Sequence, residues 1–302
     1  MTIGEATAAS SPGRPNRSGP VTRLATGLYF IATPIGAARD ITLRALDILG
    51  AADVLAAEDT RTLRHLMEIH GVLLGGRPLV AYHDHNGEAA RPRLIAALRD
   101  GKSVVYASEA GTPLIADPGF QLARAAIAEG LPVIAAPGPS AVLCALSVAG
   151  LPTDRFLFAG FLPNTTSARS RSLTDLQAVP ATLVFYESPK RLARSLVDMA
   201  RVLGPARQAA VCRELTKRFE EITRGTLGEL AETFAARDVK GEIVVVVDRV
   251  GAVVHDEASL DEALLGELSM SSLKDAVSTV ATRLGLARRD VYQRALTLGE
   301  TE

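Results

Sequence analysis

The sequence has few cysteines, almost no net charge and no long apolar run. Its two cysteines, Cys144 and Cys212, lie far apart in apolar surroundings, which argues against a disulfide framework and favours free thiols in a reducing compartment. The formal net charge is −1, so any basic surface for a nucleic acid must be local. No apolar stretch approaches the roughly 20 residues of a membrane span, and the first residues lack a signal-peptide core. We therefore expect a cytoplasmic protein without a membrane contact.

The chain has 302 residues, of which 47% are hydrophobic, and this length suggests two domains with buried cores. Strands that alternate with helices predict a parallel sheet in the first half. Closely spaced strands in the second half predict a mixed sheet, and Pro163–Arg171 is expected to be a mobile loop. The predicted order is a disordered tail over 1–23, an α/β domain over 24–150, a second α/β domain over 151–249, a linker over 250–269 and a helix-turn-helix-like pair over 270–302.

The stretch 103–119 organises these predictions. It begins as a buried strand, turns into a polar loop rich in glycine and proline, and leads into a helix. Segments 28–36, 133–140 and 183–190 have the same form. Open α/β sheets bind ligands at the carboxyl ends of their strands, beside such loops. The sequence therefore predicts a small-molecule site built from strand-end loops.

Polar clusters follow two further strands. Glu58-Asp59-Thr60-Arg61 ends the second strand, where Asp59 or Thr60 can cap the next helix. His83-Asp84-His85-Asn86 ends the third strand. Because His-x-His supplies only two metal ligands and no others are obvious nearby, we expect no metal there. Imidazoles next to a carboxylate fit substrate contact better.

Several cations suggest an anionic partner. A cation near a helix N-terminus is mildly unfavourable, so Arg61 and Arg64 are candidate RNA contacts. For any single cation after the strands of the second domain, a solvated surface charge is the better explanation, but as a cluster these cations favour phosphate contacts. They are Lys190, Arg191, Arg213, Lys217 and Arg218.

Eight short motifs occur in one order over residues 27–248, and together they are highly specific. They are Thr33-Pro34-Ile35-Gly36, Ala57-Glu58-Asp59-Thr60-Arg61, Tyr82-His83-Asp84-His85-Asn86, Ser108-x-Ala110-Gly111-Thr112-Pro113, Asp117-Pro118-Gly119, Pro137-Gly138-Pro139-Ser140, Phe185-Tyr186-Glu187-Ser188 and Arg213-Glu214-Leu215-Thr216-Lys217. In this combination the chain resembles the bacterial enzymes of the tetrapyrrole-methylase superfamily that methylate a cytidine 2′-oxygen of 16S ribosomal RNA. The terminal helix pair, which we expect Ser271 or Ser272 to cap, also resembles the appendage of that family.

The resemblance implies S-adenosylmethionine as the methyl donor, a cofactor cleft between two α/β domains, a homodimer, and the decoding centre of the small ribosomal subunit as the substrate. Ala37 stands where the family usually has Asn, and Glu109 where it usually has Asp. The cofactor contacts that the resemblance implies by position are Pro34, Gly36, Ser108, Glu109, Ala110, Gly111, Thr112, Gly138, Pro139, Ser140, Tyr186, Leu215 and Glu242.

Methylation of a ribose hydroxyl calls for a proton acceptor, because the hydroxyl is a very weak acid. The candidates are Glu58, Asp59, His83, Asp84 and His85, although capping or pairing with Arg61 or Arg64 explains the carboxylates equally well. A small-molecule methylase that acts on a tetrapyrrole is a second interpretation, since the fold permits it. A regulator that binds nucleic acid through 271–298 is a third.

Overall fold

The structure is a computed structural model, and it describes residues 23–83, 85–250, 257–284, 286 and 288–299. The predicted disordered tail therefore lies outside the described residues, except for Arg23. The chain divides into two compact units between Pro139 and Ser140. Within the described ranges, no helix is both long and apolar enough to cross a membrane.

The first unit is built around a five-stranded sheet in the order β3-β2-β4-β1-β5, in which every described pair is parallel. This confirms the predicted parallel sheet. In chain order its elements are β1 (Gly27–Ile31), a short 3-10 helix (Ala38–Asp40), α1 (Leu43–Ala51), β2 (Val54–Ala57), α2 (Thr60–Ile69), β3 (Leu79–Ala81), α3 (Gly87–Arg99), β4 (Ser103–Ala107), α4 (Phe120–Ala128) and β5 (Val133–Ala136).

The central strands β1, β2 and β4 are buried along their whole length, as continuous apolar runs in a parallel sheet require. Separate apolar clusters cover the two faces of this sheet, one centred on Ile31 and Leu55 and the other on Phe30 and Tyr106. Local capping sets where helices begin: the Thr42 side chain accepts from the Ala45 N–H at α1. These contacts fix the strand ends from which the loops emerge.

The second unit contains a mixed sheet in the order β6-β7-β10-β8-β9, with β6 parallel to β7 and the other neighbours antiparallel. The mixed sheet confirms the prediction. In chain order its elements are α5 (Ala141–Ala149), β6 (Phe156–Phe161), α6 (Thr166–Leu176), β7 (Thr182–Glu187), α7 (Leu192–Leu203), β8 (Gln208–Arg213), β9 (Glu221–Thr226), α8 (Leu227–Ala235), β10 (Ile243–Val247), α9 (Glu257–Leu268), α10 (Leu273–Leu284) and α11 (Arg288–Gly299).

Two domain boundaries differ from the sequence-based prediction. We expected the first domain to end at Gly150, but α5 belongs to the second unit, where it contacts β8, β9 and β10. Arg224 on β9 also donates to the carbonyls of Ala149, at 3.1 Å, and of Val148. A linker with a possible short helix was expected over 250–269, and 257–268 form a helix of 12 residues, α9. Leu264 of that helix is fully buried in an apolar core with Val280 and Val291. The appendage is therefore a three-helix cluster, and Ser272 caps α10 by accepting from the Asp275 N–H at 3.3 Å.

The prediction of a mobile loop over 163–171 is also wrong, because 166–171 belong to α6. Arg169 of this helix is only 3% exposed and donates to Asp198 at 2.7 Å. It also donates to the carbonyls of Pro163 and Asn164, at 3.3 and 3.2 Å. Burial alone would raise the pKa of Asp198, but hydrogen bonds from Arg201 and Arg169 hold this pKa below its ordinary value. A buried ion pair thus attaches α6 to α7.

The substitution Asp198→Ala is expected to lower the free energy of unfolding of the second unit by about 3–5 kcal/mol, because it leaves the Arg169 guanidinium buried without its partner. The matched control is Asp154→Ala, which removes an ion pair to Arg249 whose side chains are 68% and 42% exposed. That loss should stay below about 1 kcal/mol. Urea unfolding followed by circular dichroism measures both, and equal losses would contradict the structural role of Arg169.

Candidate active site

The loops named in the sequence analysis meet at one edge of the first sheet. Because its strands are parallel, their carboxyl ends lie at the same edge, and this is where open α/β sheets bind ligands. Strands β1 and β4 are hydrogen-bonded neighbours, and β5 lies on the other side of β1. The loops that contain Pro34, Gly36, 108–112 and 137–140 therefore leave the sheet side by side.

A short backbone bridge ties the β1 loop to the β4 loop. The Thr33 N–H donates to the Gly111 carbonyl and the Gly111 N–H to the Thr33 carbonyl, both at 3.0 Å. Thr33 is 2% exposed, and its hydroxyl also donates to the Ser108 carbonyl at 3.2 Å. No role was predicted for Thr33 from the sequence beyond its place in the first of the eight motifs. It is the residue through which the two central loops are joined.

The hydroxyls of Ser108 and Thr112 serve the loops themselves. Ser108 donates its O–H to the Gly111 carbonyl at 2.6 Å, and Thr112 donates to the Pro139 carbonyl at 2.8 Å. Since a hydroxyl has a single proton to donate, neither can also donate to a ligand while these bonds last. Their remaining capacity is to accept. The Ser140 side chain caps α5 by accepting from the Leu143 N–H.

The β4 loop is strained and held at both ends. Leu114 and Ala116 adopt positive φ angles of 72° and 58°, a conformation that costs a non-glycine residue on the order of 1–3 kcal/mol. The loop is held at Gly111 by the bridge and at Asp117 by Tyr106, whose buried hydroxyl donates to Asp117 at 2.7 Å. Burial, followed by the charge of Asp117, raises the pKa of Tyr106, so it stays a proton donor. Strain that the fold enforces in this way is typical of ligand-binding loops.

Glycines at this edge let neighbouring loops approach one another more closely than a Cβ would permit. A Cβ on Gly138 would lie 2.9 Å from the Ala32 Cβ. Gly111 has a φ of 79°, and a Cβ there would lie 3.3 Å from the Ile35 side chain. Gly36, Ala110 and Gly138 are exposed. Backbone presented without side chains suits a nucleoside cofactor, so the residues at this edge fit S-adenosylmethionine.

The structure separates the roles of Glu58 and Asp59, which follow β2. Asp59 is the N-cap of α2 and accepts from the backbone N–H groups of Arg61 and Thr62. Arg61, a predicted RNA contact, forms an ion pair with Asp59 at 2.8 Å, which is the pairing that the sequence offered as the alternative. Hydrogen bonds from the Arg61 side chain and then its backbone hold the pKa of Asp59 well below its ordinary value. Glu58 accepts from the Glu109 N–H at 3.3 Å, which links the β2 loop to the β4 loop.

The second polar cluster, 83–86, follows β3, which lies next to β2 in the sheet. The Tyr82 N–H donates to the Ala57 carbonyl at 2.8 Å, so His83 lies one residue beyond this contact. The Asn86 side chain accepts from the His83 N–H at 2.8 Å, while the His83 Nδ1 atom is buried with no hydrogen-bond partner among the described residues. His85 is exposed, and its ring centroid lies 6.0 Å from that of His83. Asp84 lies outside the described residues.

In the second unit, Tyr186, Leu215 and Glu242 lie at one edge of the mixed sheet. Strands β7 and β8 both pair antiparallel with β10, so their carboxyl ends lie beside the amino end of β10. Tyr186 packs edge-on against Phe158, with ring centroids 4.8 Å apart. Leu215 is 6% exposed, whereas the Glu242 side chain is 70% exposed. That these residues contact the cofactor stays a prediction.

The loop after β8 resembles the β4 loop in its construction. Glu214 and Thr216 have positive φ angles of 52° and 64°. Lys217 donates to Glu214 at 2.8 Å and to Glu242 at 3.0 Å, and Glu214 also accepts from the Glu242 N–H at 3.0 Å. Gly241, with a φ of 94°, leaves room for the Glu214 side chain, 2.4 Å from where a Cβ would stand. No role was predicted for Gly241 from the sequence, although it directly precedes the run 242–247, which is typical of a strand.

Most of the predicted RNA contacts in the second unit have internal partners. Arg213 forms an ion pair with Glu221 at 3.0 Å, and hydrogen bonds from Arg237 contribute most to lowering the pKa of Glu221 to about 2. Arg191 donates to the Asn164 side chain at 2.6 Å and forms an ion pair with the buried Glu187.

Glu187 was quoted in a motif without a role. It also accepts from the Ser188 N–H at 2.7 Å and from the Ser195 hydroxyl at 2.5 Å, so it positions the start of α7. Arg64 and Lys190 are exposed, and their side chains form no hydrogen bond or ion pair with another described residue.

Comparison with known proteins decides the family. Residues 27–231 match the model of the Tetrapyrrole (Corrin/Porphyrin) Methylases, and residues 254–299 match that of the RsmI C-terminal HTH domain. A protein from Mesorhizobium japonicum named ribosomal RNA small subunit methyltransferase I is 49% identical over 93% of this chain and 95% of its own length. Its Escherichia coli O157:H7 namesake is 42% identical over 89% and 94%. The chain belongs to the tetrapyrrole methylase family.

Solved structures agree with this membership at the level of the fold. The tetrapyrrole methylase fold is shared with cobalt precorrin-4 methyltransferase, at 19% identity and a TM-score of 0.56 over 73% of this chain and 94% of that one. It is also shared with uroporphyrin-III C-methyl transferase from Thermus thermophilus, solved in complex with S-adenyl homocysteine, at 22% identity and a TM-score of 0.51 over 74% and 97%. In the present chain, the match to the terminal domain covers α9 as well as the predicted pair α10 and α11.

We predict that Gly138→Ala weakens S-adenosylmethionine binding about tenfold or more, equivalent to about 1.4 kcal/mol, because the added Cβ pushes the β5 loop away from Ala32. The matched control is Gly50→Ala, since Gly50 lies in α1 with no heavy atom within 4 Å of the new Cβ. Calorimetric titration should show unchanged affinity for the control. Wild-type affinity in Gly138→Ala would exclude this loop from the cofactor site.

Proposed function

We propose that this chain transfers a methyl group from S-adenosylmethionine to the 2′-oxygen of a cytidine ribose in the decoding centre of 16S ribosomal RNA. The observation that carries the proposal is similarity over nearly the whole chain to proteins named ribosomal RNA small subunit methyltransferase I, at 42–49% identity. The match extends into the terminal helices. The proposal includes a homodimer that works in the cytoplasm.

When bound, S-adenosylmethionine supplies a methyl group on a positively charged sulfur. The loops at the edge of the first sheet hold this cofactor against the ribose, because methyl transfer depends mainly on positioning. Their rigidity supports this role. The backbone bridge at Thr33, the hydroxyl bonds of Ser108 and Thr112, and the Tyr106 bond to Asp117 fix the loops before a ligand arrives.

Proton removal from the ribose hydroxyl is the second requirement. Asp59 is a poor acceptor, because its hydrogen bonds with Arg61 stabilise the deprotonated carboxylate. Among the described candidates, Glu58 and His83 fit the task better. They follow neighbouring strands, and the buried His83 Nδ1 atom makes no hydrogen bond to a described residue. We propose that one of these two accepts the proton and that Asp59 and Arg61 shape the start of α2.

The test is methyl transfer from labelled S-adenosylmethionine to small ribosomal subunits that lack the modification. Nuclease mapping is expected to place the label on a cytidine 2′-oxygen. Assembled subunits should be better substrates than naked 16S ribosomal RNA or a short fragment, because one nucleotide in a large folded RNA is recognised by shape. Unlabelled subunits, with S-adenosylmethionine still bound by the protein, would contradict the proposal and favour a small-molecule methylase.

Removal of 250–302 tests whether the terminal helices serve RNA binding or the cofactor site. Helices α9, α10 and α11 pack around a core of their own, so the truncated chain should bind S-adenosylmethionine with unchanged affinity. We expect methylation of small subunits to fall about tenfold or more, the effect of losing about 1.4 kcal/mol of RNA binding. Calorimetry and the transfer assay measure the two effects. Loss of cofactor binding in the truncated chain would show that the appendage belongs to the cofactor site.

A further inference from the structure

Phe219 is a large apolar side chain held out in solvent. It is 64% exposed and lies in the loop after β8, four residues beyond the predicted cofactor contact Leu215. The Glu220 N–H donates to the Lys217 carbonyl at 3.1 Å, which closes a turn over 217–220. Arg218 and Phe219 are the two central residues of this turn, and both are exposed.

The turn is rigid because its neighbours are fixed. Lys217 is held between Glu214 and Glu242 at 2.8 and 3.0 Å. The Thr216 N–H donates to the Glu220 side chain at 2.6 Å, and the Lys217 N–H donates to the Glu214 carbonyl at 3.0 Å. The positive φ angles of Glu214 and Thr216 are maintained by these bonds. The fold thus maintains a strained loop whose corner presents an aromatic ring.

Arg218 adds an exposed positive charge beside the exposed Phe219 ring. Its guanidinium lies over the Phe219 ring, 5.4 Å from the centroid. Of the cations on this loop, Arg213 and Lys217 form ion pairs with carboxylates, whereas no carboxylate among the described residues pairs with Arg218. A guanidinium and an aromatic ring that are both exposed offer planes on which a base can stack, together with charge for a phosphate.

We propose that Phe219 and Arg218 form a stacking platform for an unpaired base of the RNA substrate. The inference rests on the proposed function and adds a recognition element to it. Single-stranded RNA is the partner that this chemistry fits, because bases stack on aromatic and guanidinium planes while Arg neutralises the backbone. A contact between two copies of this chain is the alternative that the experiments must exclude.

Fluorescence tests the platform directly, because the chain contains no tryptophan. The variant Phe219→Trp has a single tryptophan, whose fluorescence a stacked base should quench. The probes are a short single-stranded RNA containing cytidine and small subunits that lack the modification. The matched control is Phe156→Trp, at an aromatic residue that is 42% exposed at the start of β6. Quenching at position 219 alone supports the platform. No quenching, or equal quenching at both positions, overturns it.

Kinetics separate recognition from folding. Phe219→Leu keeps an apolar side chain but removes the ring, so the KM for small subunits should rise about tenfold or more, with unchanged kcat and S-adenosylmethionine affinity. Phe219→Tyr should behave as wild type, and so should Phe156→Leu. A Leu variant with wild-type KM, or one whose oligomeric state changes in light scattering, would overturn the proposal. Because the quenching experiment needs no methyl transfer, it still decides the platform if the wild-type protein leaves subunits unmethylated.

Discussion

The backbone bridge between Thr33 and Gly111 is the constraint on which the candidate site depends. It joins the loops of two adjacent strands through a reciprocal pair of hydrogen bonds at 3.0 Å. The bridge requires a residue at 111 that tolerates a φ of 79°, which is why glycine suits that position. The Ser108 hydroxyl reinforces the β4 loop by donating to the Gly111 carbonyl, and the Thr112 hydroxyl extends the constraint to the β5 loop by donating to the Pro139 carbonyl. A site assembled in this way is ordered by the protein before any ligand binds.

The second unit uses the same device in a different sheet. In both units a signature loop carries two non-glycine residues with positive φ, and in the described part of the chain these four account for all such residues. Each loop is fixed by bonds at its base, through Tyr106 and Asp117 in one and through Lys217, Glu214 and Glu242 in the other. Maintaining such strain costs stability, so its restriction to these loops points to ligand binding there.

The sequence allowed the strands, several caps and the strand-end loops to be predicted because their determinants are local. Buried apolar runs followed by glycine and proline, and capping residues such as Asp59 and Ser272, act within a few residues of the chain. The features that were missed depend on distant partners. Helix α6 is rich in Ser, Thr and Arg, and a buried bond between Arg169 and Asp198 holds it. Helix α9 is acidic, and only packing against α10 and α11 gives its apolar residues a core.

The candidate site shows the same division between local and distant determinants. Motif order identified the residues that line the loops, but not what their polar atoms do. The resemblance implied Ser108 and Thr112 as cofactor contacts, but it did not reveal that their hydroxyls donate to carbonyls within the protein. Arg61 was expected to face RNA, and it pairs with the capping Asp59. Such partners follow from the way the sheet brings separate loops together, which residue spacing alone does not contain.

Hydrogen exchange with and without S-adenosylhomocysteine tests the central claim most directly, namely that the loops at the carboxyl edge of the first sheet hold the cofactor. The account predicts new protection of amides in 33–36, 108–119 and 137–140, with no change in α9, α10 and α11. Binding of S-adenosylhomocysteine without protection in these three segments would contradict it.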